Sequence, residues 1–178
     1  MNTKNILITG LPGSGKTTLI RNIAQNFDNY KPFGFYTAEI RSQGKRQGFE
    51  LVSLSGNHAL LSHVSIKLPN RVGKYGVDIE SFDAFLSVIP FQSAHHQLII
   101  IDEIGKMEGF SNKFRNLILE ILSSDNLCIA TIALKGDNWI EKIKKRTDVE
   151  IFRLRFENRL ALTNQIVEKI HKILDERN

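Results

Sequence analysis

The sequence predicts an α/β sandwich built on a mainly parallel sheet, with an antiparallel hairpin inserted after the first helix. Three observations predict it. The short apolar runs NILITG, QLIIIDE and LCIATIA have the length and near-continuous hydrophobicity of strands buried on both faces. Stretches with apolar residues at helical spacing alternate with strand-like runs at both ends of the chain. Two strand-like segments joined by the polar SQGK follow the first helical stretch directly, which is the pattern of an antiparallel pair.

In chain order, NILITG ends in glycine, as a buried parallel strand before a turn does. A helix is expected over residues 15–26, with Leu19, Ile23 and Phe27 on one face. FGFYTAEIR and RQGFELVSL form the hairpin, and HVSIKL, residues 63–68, is expected as a third strand. PNRVGKYGVD is glycine-rich and basic and reads as a loop. Over residues 79–91, Phe82, Phe85, Leu86 and Ile89 recur at helical spacing. QLIIIDE, residues 97–103, is the strongest buried-strand signal. Ser111 caps a helix over NKFRNLILEIL, where Phe114, Leu117, Ile118 and Ile121 share a face. LCIATIA is a strand, DNWIEKIKKR a short helix and VEIFRLRF a final strand. The tail NRLALTNQIVEKIHKILDER is an amphipathic helix with Ile166, Ile170, Ile173 and Leu174 recurring. There is no internal repeat, low-complexity tract or linker.

Residues 1–178 are enough for one domain with a sizeable core. Hydrophobic residues make up 42% and charged residues 24%, ordinary for a soluble globular protein. No apolar run approaches the roughly 20 residues that span a bilayer. The amino terminus leads straight into a core strand rather than a cleavable leader, so a cytoplasmic protein is expected, without membrane contact. The lone cysteine, Cys128, excludes an intrachain disulfide and reads as a small core residue. The net charge of +5 and a pI near 9.4 suit polyanionic ligands. KIKKR, residues 142–146, is the only dense basic cluster, and it reads either as a solvated helix end or as a weak RNA contact. No RNA-binding signature with interleaved aromatics accompanies it. The five histidines, the pair His95-His96 included, lack zinc-ligand spacing. Trp139 reads as a helix anchor.

Gly10-Leu11-Pro12-Gly13-Ser14-Gly15-Lys16-Thr17 fits the Walker A pattern G-x-x-x-x-G-K-[ST], with a strand before it and a helix after it. Its glycines let backbone N–H groups point inward at phosphate oxygens, and the helix dipole adds positive potential at the same place. Lys16 is expected to reach the β- and γ-phosphates, the Thr17 hydroxyl to ligate Mg²⁺, and Thr18 to contact the α-phosphate side. This motif identifies a nucleoside triphosphate and magnesium; it leaves the reaction open.

LIIIDE supplies the Walker B partner, an apolar strand that delivers Asp102 to its carboxyl end as a magnesium ligand acting through water. Glu103 follows immediately, where a carboxylate can orient and polarise a water for in-line attack on the γ-phosphorus. Kinases also carry an acid near the acceptor, and a surface acid or helix cap is the plainer alternative, so Glu103 alone does not separate the classes. Phosphoryl transfer also wants a cation over the γ-phosphoryl oxygens. Lys106 is the foremost candidate because of its neighbours in DEIGKME; Arg71, Lys74, Arg146 and Arg159 are others. Tyr75, in the same loop as Arg71 and Lys74, could stack on a base.

The segments ITGLPGSGKTTLI, GFYTAEIR, GFELVSL, RVGKYGVD, IIIDEIGKMEGFS and the closing RTD…NR occur in one order over nearly the whole chain. Together they resemble the THEP-type nucleoside triphosphatases, also called the cancer-related nucleoside-triphosphatase family. GFYTAEIR and DEIGKMEGFS are far more specific than the Walker motif. The resemblance implies a Rossmann-like P-loop core and slow, Mg²⁺-dependent hydrolysis of ATP, GTP and other triphosphates to diphosphates. It implies that Gly10 to Thr18 form the phosphate loop. It assigns nucleotide contacts to Ile99, Ile100, Ile101, Asp102, Glu103, Ile104, Gly105 and Lys106, with Asp102 on metal and Glu103 on water. Gly109 departs from the family, which usually has a larger apolar residue there; the expected effect is a looser loop with its chemistry intact.

The leading expectation is therefore a monomeric nucleoside-triphosphate phosphatase acting on ATP, GTP, CTP and UTP, since no guanine-reading N-K-x-D segment is present. A nucleotide or nucleoside kinase, and an RNA-associated switch with negligible turnover, are the alternatives.

Overall fold

A computed structural model describes residues 3–91 and 97–176; the pair His95-His96 lies outside them. The nine strands of its sheet are β1 (Asn5–Gly10), β2 (Phe33–Ser42), β3 (Lys45–Ser53), β4 (His58–His63), β5 (Arg71–Val72), β6 (Tyr75–Val77), β7 (Leu98–Ile104), β8 (Leu127–Ile132) and β9 (Val149–Leu154). The helices are α1 (Lys16–Asn26), α2 (Ile79–Ser87), α3 (Asn112–Ser123), α4 (Asn138–Lys144) and α5 (Arg159–Asp175). The strand order is β5-β6-β4-β3-β2-β7-β8-β1-β9. β2, β7, β8, β1 and β9 run parallel, and β3, β4, β6 and β5 extend the sheet antiparallel from β2.

Strand alternation sorts the core into two layers. Leu7, Ile99, Ile101, Cys128 and Ala130 face α2, α3 and α4, where Phe82, Phe85, Phe114 and Ile118 pack. Ile6, Ile8, Ile100 and Ile129 face the other way, onto Leu19, Ile20 and Ile23 of α1 and Leu162, Ile166 and Ile170 of α5. Because successive side chains point to opposite faces, runs such as LIII must be apolar throughout to be covered on both sides. α1 carries β1 to β2 across one face, and α4 carries β8 to β9 across the other. The chain thus diverges at β1, and the crevice outside the carboxyl ends of the central strands is where such folds bind ligands.

Gly34 is where β2 comes closest to β7. Its φ is +134°, and a Cβ there would stand 1.8 Å from the Ile100 carbonyl oxygen, so only glycine lets the strand lie against its neighbour.

Three expectations change. The third antiparallel strand is HALLSH rather than HVSIKL, because the turn after β3 is short: Ser53 exchanges backbone and side-chain bonds with Asn57, and pairing resumes at His58. RVGKYGV is a tight hairpin rather than a loop. Val72 pairs with Tyr75, and Gly73, at φ +57°, makes the two-residue turn between them. The inserted antiparallel region is consequently a four-stranded wing, larger than one hairpin. α2 stops at Ser87, although Ile89 and Phe91 beyond it are buried.

Candidate active site

β1 ends at Gly10, and the chain loops through residues 11–15 before entering α1. Gly15 caps the helix in the left-handed region, at φ 96° and ψ 22°, a conformation that glycine adopts without strain. The first turn of α1 carries no acidic residue, so its N–H groups and positive dipole end stay free for an anion. The Lys16 ammonium donates to the carbonyls of Gly10 at 3.1 Å and Leu11 at 3.3 Å, which folds it back across the mouth of the loop. Ser14 Oγ is buried and finds no partner among the described residues.

Asp102, 1% exposed, sits near the carboxyl end of β7. Alternation turns it to the α1 side of the sheet, and there it meets three hydroxyls. Thr17 of α1 donates to Oδ2 at 2.6 Å, Thr37 of β2 to Oδ2 at 3.2 Å, and Thr131 of β8 to Oδ1 at 2.5 Å. Hydrogen bonds to an ionised carboxylate are stronger than neutral ones, and here they hold both oxygens in one orientation. The ladder between β7 and β8 shifts register between Ile101 and Ile104, so Asp102 and Glu103 occupy an irregular segment, and the peptide between them is cis.

Glu103 is half-buried beside the loop. Burial raises its carboxyl above the ordinary range; the Lys16 ammonium pulls it down, and the Asp102 carboxylate pushes it further up. Sequence reasoning missed Glu108, which is 5% exposed in the short 3₁₀ turn Glu108–Phe110. A Cβ on Gly105 would lie 2.8 Å from Glu108 Oε2 and 3.5 Å from Glu103 Cδ, so the two carboxyls flank Gly105. Burial, and then the neighbouring Glu103, push the Glu108 carboxyl well above the usual range.

The five candidate cations separate. Lys106 is exposed and makes no hydrogen bond or ion pair with any described residue. It lines a shallow cavity of about 360 Å³ with Arg71, Gly105 and Phe110. Arg71 reaches the same cavity, but its guanidinium is pinned to the carbonyls of Ile66 and Lys74, both at 2.8 Å. Lys74 lies over the Tyr75 ring. Arg146 is held by Asp148 through two bonds, 2.7 and 2.9 Å, just before β9 begins. Since Val149 pairs with Asn5, that is the end of the sheet opposite the loop, and Arg146 cannot serve the site. Arg159, the first residue of α5, donates through Nε to the Ser14 carbonyl at 2.8 Å and lies against Gly15.

Tyr75 is 8% exposed, packs edge-on against Phe49 and accepts from Arg46, so it offers no face to a base. The space over Gly109, where a larger side chain was expected, is bounded by the Trp139 ring, 3.5 Å from where a Cβ would stand. Trp139 packs on Phe114 and Arg115, as a helix anchor does. In KIKKR, Lys144 and Arg146 are occupied by Glu141 and Asp148, which favours the helix-end reading. Thr37 and Thr131 were missed as well; each is a hydroxyl within a strand, Thr131 in the otherwise apolar LCIATI.

The oxygen pair Thr17–Asp102 is the donor set a hard divalent cation prefers. That fits magnesium, which keeps waters and shares phosphate oxygens rather than filling an all-protein site.

Residues 5–167 match the protein family described as NTPase. The chain is 44% identical over 164 residues to the nucleoside-triphosphatase THEP1 of Thermotoga sp. (strain RQ2), covering 91% of this chain and 92% of that one. Its fold superposes on the crystal structure of THEP1 from Aquifex aeolicus with a TM-score of 0.82 at 32% identity, over 91% of this chain and 96% of the other. It superposes equally, at 0.82 and 34% identity, on the solution structure of a human cancer-related nucleoside triphosphatase, over 95% and 98% of the two chains.

Proposed function

The chain belongs to the NTPase family, and on that premise we propose that it is a single-domain, Mg²⁺-dependent enzyme that hydrolyses nucleoside 5′-triphosphates to diphosphate and phosphate. ATP, GTP, CTP and UTP are all substrates in this reading. The observation that carries it is Glu103, half-buried, next in the chain to an Asp102 carboxylate fixed by three threonines and within the field of the Lys16 ammonium.

The loop from Gly10 to Thr18 wraps the phosphates with its backbone N–H groups, and Lys16 moves from the Gly10 and Leu11 carbonyls to the β- and γ-oxygens. Thr17 and Asp102 hold Mg²⁺, which supplies charge neutralisation on the phosphate oxygens when bound. Of the residues Ile99 to Lys106, Ile99, Ile100 and Ile101 are buried within the sheet and carry the strand, while Asp102 to Lys106, at its carboxyl end, face the terminal phosphate. Glu103 orients a water toward the γ-phosphorus and takes up its proton. Lys106, exposed and unpaired among the described residues, meets the charge that develops on the γ-phosphoryl oxygens.

No helix among the described residues is long and apolar enough to cross a membrane. A cytoplasmic monomer is the setting we propose.

The test is phosphate release from the four triphosphates with Mg²⁺ and no acceptor, on the wild type and Glu103→Gln. Turnover on several bases, lowered about 100-fold or more in the variant, is expected for a lost general base. Release that begins only when a nucleoside or monophosphate is added would overturn hydrolysis in favour of a kinase.

A further inference from the structure

Three large apolar side chains stand out into solvent beside the phosphate loop: Leu11 at 63% exposure, Phe156 at 75% and Leu160 at 77%. They are not scattered. Gly10 pairs with Leu154, so the chain after β1 and the chain after β9 leave the sheet side by side. Leu11 begins the loop, Phe156 lies in the turn after β9, and Leu160 is in the first turn of α5.

Arg159 ties this turn to the loop. Its guanidinium donates to the Ser14 carbonyl and lies 5.0 Å from the centre of the Phe156 ring. Asn158 makes the turn rigid: its Oδ1 accepts from the Arg155 N–H at 2.8 Å and its Nδ2 donates to the Arg153 carbonyl at 3.0 Å. An aromatic ring is thus held, largely in water, at a fixed distance from the phosphate loop.

The strand order supplies a direction. Asp102 and Glu103 lie near the carboxyl end of β7, which is two places from β1 on one side, and β9 adjoins β1 on the other. A triphosphate whose terminal phosphate faces Glu103 therefore sends its nucleoside end toward β9. We propose that Phe156, backed by Arg159 and flanked by Leu11 and Leu160, is the platform on which the nucleobase stacks. This rests on the reading of residues 10–18 as the phosphate loop. Both polar ends of the Asn158 side chain are already bonded within the turn, so recognition comes from ring faces and apolar edges. Every base has a π-face, and such a platform takes purines and pyrimidines alike.

The test separates base from phosphate and does not depend on turnover. Calorimetry with Mg²⁺ would compare ADP, GDP, CDP and UDP with inorganic pyrophosphate, on the wild type, Phe156→Ala and Phe156→Tyr. We expect Phe156→Ala to weaken all four nucleotides about tenfold, the loss of one stacked base, and Phe156→Tyr to restore them. Pyrophosphate, which has no base, should bind both variants as it binds the wild type. Equal weakening of nucleotides and pyrophosphate would overturn the platform and make Phe156 a support for the loop through Arg159. Nucleotide affinities unchanged in Phe156→Ala, or no nucleotide binding by the wild type, would overturn it too. Should the wild type bind as expected yet release no phosphate from triphosphates, the hydrolase reading fails and the platform stands.

Discussion

Thr131→Val removes one hydroxyl and little volume from the strand between β1 and β7. Thr131 is fully buried, and its Oγ1 donates to Asp102 Oδ1 at 2.5 Å; no other described hydrogen bond reaches that oxygen. Thr17 and Thr37 both bond Oδ2, so the valine leaves Oδ1 bare and the carboxylate free to rotate about its remaining partners. A hydrogen bond to a charged group contributes about 1.5–3 kcal/mol. At about 1.4 kcal/mol per tenfold, that is roughly a 10- to 150-fold change if the whole effect falls on magnesium binding or on kcat/KM. The same loss in the folded state should lower Tm by about 3–12 °C, at roughly 2–4 °C per kcal/mol for a domain of this size. Phosphate release measured across a magnesium titration, with a thermal melt of the same samples, reads both. Thr131→Ser, which keeps the donor, should recover most of the activity. A folded Thr131→Val whose magnesium dependence and kcat/KM stay within about twofold of wild type would refute the orienting role. A loss of Tm alone would confine Thr131 to stability.

Three further outcomes are expected. The folded-state pKa of Glu108 is raised, by burial first and Glu103 second, so its stabilising contribution is complete below the ordinary carboxyl range and is lost as pH rises through the raised value. Glu108→Gln, neutral at every pH, should therefore melt like the wild type near about pH 4 and above it near about pH 8; a constant offset would contradict the linkage. Gly34→Ala drives a methyl into the Ile100 carbonyl at a φ that alanine avoids, and urea unfolding should show a loss above about 3 kcal/mol. Burial pushes the Cys128 thiol up to about 12, so the native protein should resist alkylation at mildly alkaline pH and react only once unfolded.

Much of the parallel half was legible because it is encoded locally. A strand buried on both faces must be apolar throughout, and NILITG, LIIIDE and LCIATI announce themselves for that reason. Ser111 was readable as a cap because capping is a contact between near neighbours: its Oγ accepts from the Phe114 N–H at 2.9 Å. The antiparallel wing was harder. Whether HALLSH or HVSIKL becomes the strand depends on how many residues the turn after β3 consumes, and the alternation of Val64, Ile66 and Leu68 favours the wrong one, since HALLSH carries three apolar residues in a row.

By itself the sequence singled out the glycine-rich loop and the acid pair as the candidate site, since glycine spacing, a lysine, a threonine and an apolar strand ending in two carboxylates act over a few consecutive residues. It could not say which distant residues complete them. Thr37 and Thr131 are 65 and 29 positions from Asp102, and nothing in their surroundings distinguishes them from other hydroxyls in strands. Arg146 and Arg159 looked alike in the chain; the direction of β9 carries one to the far end of the sheet and sets the other against the loop. Tyr75 went into a hydrophobic contact, and Phe156, expected as the end of the last strand, lies beyond it in the turn beside the loop. Strand order and strand direction made these choices, because they bring together residues whose separation along the chain carries no signal of their contact.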